Sequence, residues 1–98
     1  MHTAQLTQQG TRWQLSGHLD SSSVTALLGQ WQQLIQDKFP TQLDLSALKR
    51  CDSAGLACLL QCQQQAQQRD QVLSLQNPPQ QLQQLAQLYG LETNLFAL

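Results

Sequence analysis

The residues of this 98-residue chain whose types and spacing best suit chemistry are Asp52 and Ser53, followed by Ala54-Gly55-Leu56-Ala57. The alternating run Leu43-Asp44-Leu45-Ser46 precedes them, so a strand, a turn and a glycine-containing helix start follow in order. The first turn of a helix exposes unpaired N–H groups and a partial positive charge, a favourable field for an oxygen-rich or anionic group at Ser53. Small Ala54 and Gly55 leave room there for an approaching protein surface. Phosphorylation of Ser53 would add about −1.5 to −2 charges beside Asp52, setting like-charge repulsion against the local dipole and switching binding. Asp52 or Ser53 also serves as an ordinary helix cap, and capping is compatible with binding.

The remaining reactive side chains form no constellation. Cys58 and Cys62 stand one helical turn apart, but no Cys or His pair at a suitable spacing completes a four-ligand zinc site, and buried small residues are the plainer reading. His2 and His18 have no nucleophile in a known pattern, and Asp20, Asp44 and Asp52 define no acid/base pair. Neither a Gly-x-Ser-x-Gly elbow nor a Gly-x-x-x-x-Gly-Lys phosphate loop occurs. The chain is therefore expected to be a non-enzyme, with no catalytic residues, metal or cofactor, that borrows chemistry from its partner.

Two runs, Ala4 to Thr7 and Thr11 to Gly17, predict a β-hairpin that leads into the site. A serine run then caps a helix whose apolar positions Val24, Leu27, Leu28, Trp31, Leu34 and Ile35 follow helical spacing, and Pro40 ends it. Gln42 to Ser46 predicts a central strand, and Ala47 to Asp52 a loop. The helix from Asp52-Ser53 carries Gly55, Cys58, Leu59, Cys62 and Ala66 on one face. Leu56, Ala57 and Leu60 broaden its apolar surface and are expected to form the desolvated centre of an interface. Val72 to Leu75 predicts another strand and Asn77-Pro78-Pro79 a capped helix start. The last helix shows Leu82, Leu85, Ala86 and Tyr89, closed by Gly90 at C′, with Leu91 to Leu98 an apolar tail that packs back or meets a partner. Trp13 and Trp31 fall on regular apolar positions and read as core. The expected order is β-β-α-β-α-β-α, one α/β domain over residues 1 to 98 with a mixed sheet and helices packed on it.

Apolar residues make up 41% of the chain and charged residues 11%, against a usual ~25% charged, while 22 glutamines carry the polarity. Five basic and six acidic side chains leave a net charge of −1, which offers no field for nucleic acid or anionic lipid. No run approaches the ~20 apolar residues of a membrane span, and the first residues have neither the basic nor the apolar part of an export signal. An odd number of cysteines, three, agrees with free thiols in a reducing, cytoplasmic setting.

Leu43-Asp44-Leu45-Ser46 followed by Asp52-Ser53-Ala54-Gly55-Leu56 resembles the signature of STAS domains, the fold of anti-sigma-factor antagonists, and the resemblance spans nearly the whole chain. In that family the serine or threonine after the aspartate lies at the binding surface and, in the sigma-regulating branch, accepts phosphate, a role that maps onto Ser53. The segments Leu15 to Asp20 and Leu85 to Leu91 most resemble the stand-alone branch that serves the Mla phospholipid-transport ABC complex. That resemblance implies a cytoplasmic accessory subunit, peripheral to the inner membrane through the complex, that helps maintain outer-membrane lipid asymmetry. It would dock on the ATPase through Asp52, Ser53, Ala54, Gly55, Leu56, Ala57 and Leu60, within an assembly that includes permease and lipid-binding subunits. Sequences of that branch can carry threonine at Ser53 and glycine at Ala54; the hydroxyl is retained. The alternative implied by the family is an anti-sigma-factor antagonist phosphorylated at Ser53.

Overall fold

The structure is a computed structural model that describes residues 3–90 and the backbone of 96–97. The hairpin forms from β1 (Ala4–Gln9) and β2 (Arg12–Leu19), antiparallel, with Gly10 at φ 61° in the connecting turn. Helix α1 (Val24–Leu34) crosses to β3 (Gln42–Asp44) and β4 (Leu48–Cys51). Helix α2 (Ser53–Gln68), β5 (Ser74–Gln76), α3 (Gln80–Leu88) and β6 (Phe96–Ala97) complete the chain. The sheet runs β1-β2-β3-β5-β6, parallel except for β1, and β4 also pairs with β2.

Alternation along the strands decides which face is covered. Trp13, Leu15, Leu43 and Leu75 share one face and are at most 1% exposed, whereas Gln14, Ser16, Asp44, Ser74 and Gln76 share the other. Leu27 and Trp31 of α1, Leu59, Cys62 and Ala66 of α2, and Leu82 and Ala86 of α3 join the apolar face in one core. Trp31 is the keystone, with its ring edge-to-face on Trp13 at 5.8 Å and on Phe39 at 5.4 Å. Its Nε1–H donates to Gln65 Oε1 at 2.6 Å, so the one polar atom of this buried ring ties α1 to α2.

Several local expectations need correction. Residues 47 to 52 are not a loop: Leu48–Cys51 is a strand, and its pairing with β2 shifts register between Gly17 and His18, so that Lys49 is an extra residue. The shift leaves Leu48 and Cys51 inward three positions apart, which breaks the period-two pattern that identifies strands. The central strand accordingly ends at Asp44. Helix α1 stops at Leu34, well before Pro40; Ser23 is its N-cap residue, as expected of the serine run, but its side chain makes no cap hydrogen bond, and its Oγ donates to the His18 carbonyl and accepts from Asp20 N–H. The fifth strand starts at Ser74, not Val72, whose side chain is 81% exposed. Asn77 does not cap α3. It takes φ 54° and donates to Asp44, and Pro79 is the N-cap. Gly90, at φ 72°, closes α3 as expected. Of the predicted apolar tail, Phe96–Ala97 pairs with β5, and the rest lies outside the described residues, as does His2.

Asp44 explains why polar residues gather on the open face. Burial opposes its charge most strongly, but hydrogen bonds from Asn77 Nδ2 at 3.1 Å, Ser46 N–H at 3.0 Å and Ser46 Oγ at 3.1 Å, with Arg12 at 3.5 Å, together hold its carboxyl below the usual range. A depressed folded-state pKa stabilises the fold above the unfolded value of ~3.9, and this contribution is lost as pH falls through the folded pKa. Acid unfolding followed by circular dichroism should therefore flatten in Asp44→Asn below about pH 4, compared with the parent chain.

Candidate partner-binding surface

The site begins where β4 ends. Asp52 takes an extended backbone, its N–H donates to the Leu19 carbonyl at 3.2 Å, and its Oδ1 accepts from Gly55 N–H at 3.0 Å. Asp52 is thus the cap of α2 and leaves Ser53 as the first helical residue, exposed on the outer side of the turn. Gly55 faces the other way: a Cβ there would strike the Leu19 carbonyl oxygen and lie 2.7 Å from Cys51 Sγ. The glycine lets α2 begin directly against the ends of β2 and β4, which fixes where Ser53 sits. Overpacking of this kind costs about 1–3 kcal/mol, more than the ~1 kcal/mol of helix propensity that alanine gains. Gly55→Ala should accordingly lower the urea midpoint of unfolding.

The seven candidate residues divide by side. Ser53 and Ala57 are exposed, Asp52, Ala54 and Leu60 are half-buried, and Gly55 and Leu56 are turned into the core, Leu56 at 3% exposure. Two hollows flank the outward set. One, of about 310 Å³, is lined by Ser53, Leu56, Ala57, Leu60 and Tyr89. The other, of about 520 Å³, extends from Cys51, Asp52 and Ser53 to Gln81, Leu85 and Leu88, and Tyr89 borders it too. Ser53 and Tyr89 form the divide between them. Tyr89 was expected on the packed face of the last helix, but it and Leu88 are 57% and 79% exposed. Helical spacing from Leu82 and Leu85 marks position 89 as inward; α3 ends at Leu88, so Tyr89 is its C-cap, and it borders the hollows beside Ser53, Ala57 and Leu60 of α2 instead. Sequence periodicity carries no signal for where the helix stops.

The thiols near this surface are structural. All three cysteines are free and buried. Burial, then the charge of Asp52, pushes the Cys51 thiol up to about 12, and the hydrogen bond with Cys58, then burial, raises Cys62. The same hydrogen bond lowers Cys58, which is kept from reagents by burial, at 3% exposure, while Cys51 and Cys62 stay protonated and are poor nucleophiles and poor metal ligands. In the native protein a thiol-exchange reagent should titrate close to none of the three, and in denaturant all three; one fast native thiol would contradict this packing. Among the described residues no group of three or more His, Cys, Asp or Glu is gathered to hold a metal ion, and no helix is long and apolar enough to cross a membrane.

A family model described as "Mlab, STAS domain" matches residues 2–97. The chain belongs to the STAS family. It is 37% identical over 76 residues, covering 70% of this chain and 72% of the relative, to the intermembrane phospholipid transport system binding protein MlaB of Haemophilus influenzae. Among solved structures, this STAS domain is similar to the anti-sigma factor antagonist SpoIIAA in its unphosphorylated form, with a TM-score of 0.70 at 22% identity over 90% of this chain and 81% of that one. The phosphorylated Bacillus cell fate determinant SpoIIAA gives a TM-score of 0.66 at 20% identity, covering 90% and 84%. The STAS fold accounts for the mixed sheet, the three helices and the strand-to-helix turn that carries Asp52 and Ser53.

Proposed function

We propose that this STAS domain is an accessory subunit of the Mla phospholipid-transport ABC complex that binds the MlaF-like ATPase on the cytoplasmic side of the inner membrane. The observation that carries the reading is the likeness to MlaB together with the two hollows that meet at Ser53 and Tyr89. A subunit needs an apolar centre that loses its water on docking, and Ala57, Leu60, Leu85, Leu88 and Tyr89 supply one around a small polar residue. The docked domain would hold the ATPase in its assembled, active form and take no part in the hydrolysis. Gly55 contributes by setting the helix start, and Leu56 by forming the floor of the smaller hollow. This differs from the sequence-based picture in which both touch the partner.

Co-expression with the ATPase tests the reading. The two should copurify, and ATP hydrolysis by the complex should exceed that of the ATPase alone; a chain that neither copurifies nor changes hydrolysis defeats it. The exposed Ser53 hydroxyl also suits the phosphate-accepting role of an anti-sigma-factor antagonist. Incubation with a cognate kinase separates the two readings, since only the antagonist gains the mass of a phosphate at Ser53.

A further inference from the structure

The two hollows differ in charge as well as in size. The smaller is walled by apolar side chains, the Tyr89 ring and the Ser53 hydroxyl. Asp52 lines the larger, and among the described residues no basic side chain lines either hollow or pairs with it. Accepting a hydrogen bond does not discharge a carboxylate. Gly55 N–H takes Oδ1, and among the described residues no side chain donates to Oδ2. The partial positive charge at the start of α2, roughly half an elementary charge, offsets part of the carboxylate and leaves this corner net negative. The field reaches the wall of the hollow, where the charge of Asp52 helps to raise the Cys51 thiol. The rest of the wall suits a cation on a long stem: Leu85 and Leu88 are apolar, Tyr89 supplies an aromatic ring, and Gln84 and Ser53 bring uncharged oxygens.

Resting on the ATPase-binding reading above, we infer that the partner seats a basic side chain, arginine or lysine, in the larger hollow, its aliphatic stem along Leu85, Leu88 and Tyr89 and its charged head at the Asp52 carboxylate. Covering that carboxylate without a cation would cost its hydration with nothing in return, so the same charge that draws a basic side chain rejects an apolar or acidic one. The smaller hollow, which has no charge to offer, takes an uncharged apolar side chain. Two neighbouring hollows that accept different side chains fix the orientation of the partner across Ser53 and Tyr89.

The test measures binding to the purified ATPase by the parent chain, Asp52→Asn, Gln84→Glu, Gln84→Lys and Asp70→Asn, at low and high salt, with a thermal unfolding curve for each. Asparagine caps a helix about as well as aspartate, so Asp52→Asn removes the charge and keeps the start of α2. Asp70 is exposed beyond the far end of α2, in a left-handed conformation that asparagine tolerates, and controls for net charge. In low salt Asp52→Asn and Gln84→Lys should each bind about tenfold weaker than the parent, Gln84→Glu should bind tighter, and Asp70→Asn should match the parent. The differences should shrink as salt rises. A gain in Gln84→Glu cannot come from damage to the fold, so the two Gln84 variants decide the matter if Asp52→Asn proves unstable. Equal binding by all variants overturns the basic occupant and leaves the ATPase reading standing. So does a loss in Asp70→Asn equal to that in Asp52→Asn, or a gain in Gln84→Lys with a loss in Gln84→Glu. A parent chain that does not bind the ATPase overturns both.

Discussion

Ser53→Arg is expected to weaken ATPase binding by about 3 kcal/mol, roughly 100-fold, with little change in the stability of the free chain. Ser53 lies on the divide between the two hollows, so a long charged side chain there would fill the approach to both and would have to be desolvated on docking. The fold should tolerate it, because the serine is exposed, Asp52 rather than Ser53 caps the helix, and no core contact depends on the hydroxyl. Ser53→Ala, which removes only the oxygen, should bind nearly as well as the parent. Isothermal titration of the variants against the purified ATPase, alongside their urea transitions, reads both quantities. Loss of stability in step with loss of binding would show that Ser53 holds the helix start and does not meet a partner.

The second large effect is on the fold. Trp31→Ala should cost about 4 kcal/mol, a large part of the roughly 5–15 kcal/mol that a domain of this size has available. The ring is 1% exposed, meets Trp13 and Phe39 edge-to-face, and its N–H holds Gln65 of the neighbouring helix, so truncation leaves a cavity and takes the donor from a half-buried amide oxygen together. Trp31→Phe keeps most of the volume and loses the hydrogen bond, and should cost about 1–2 kcal/mol. Urea denaturation measures both, and an alanine variant within about 1 kcal/mol of the parent would mean that the interior repacks freely.

These residues show which features of the protein can be read from its sequence. Trp13, Trp31 and the α1 stripe are legible because regular helical and strand periods put apolar side chains on one face, and the core is where those periods predict it. The start of α2 is legible because Asp52 has the chemistry of a cap and small residues follow it. Strand β4 is not, since the register shift opposite Gly17 and His18 removes the alternation that would reveal it. The role of Tyr89 is not legible either. Its spacing from Leu82 and Leu85 is that of a core residue, but α3 ends at Leu88 and Tyr89, its C-cap, is exposed. Gly55 and Leu56 illustrate the reverse case: an apolar segment at a helix start looks like interface all round, and the tertiary packing of α2 on β2 takes half of it inward. Local pattern reports which side chains avoid water. Whether the cover comes from the chain itself or from another molecule depends on how the elements meet.

Photo-crosslinking from position 89 tests the central claim most directly. With a photoreactive phenylalanine analogue in place of Tyr89 in the assembled complex, irradiation should join the chain to the ATPase, and the same analogue at Gln14 on the open face of the sheet should not. Crosslinks to the ATPase from Gln14 and none from Tyr89 would place the partner on the polar face and contradict the account.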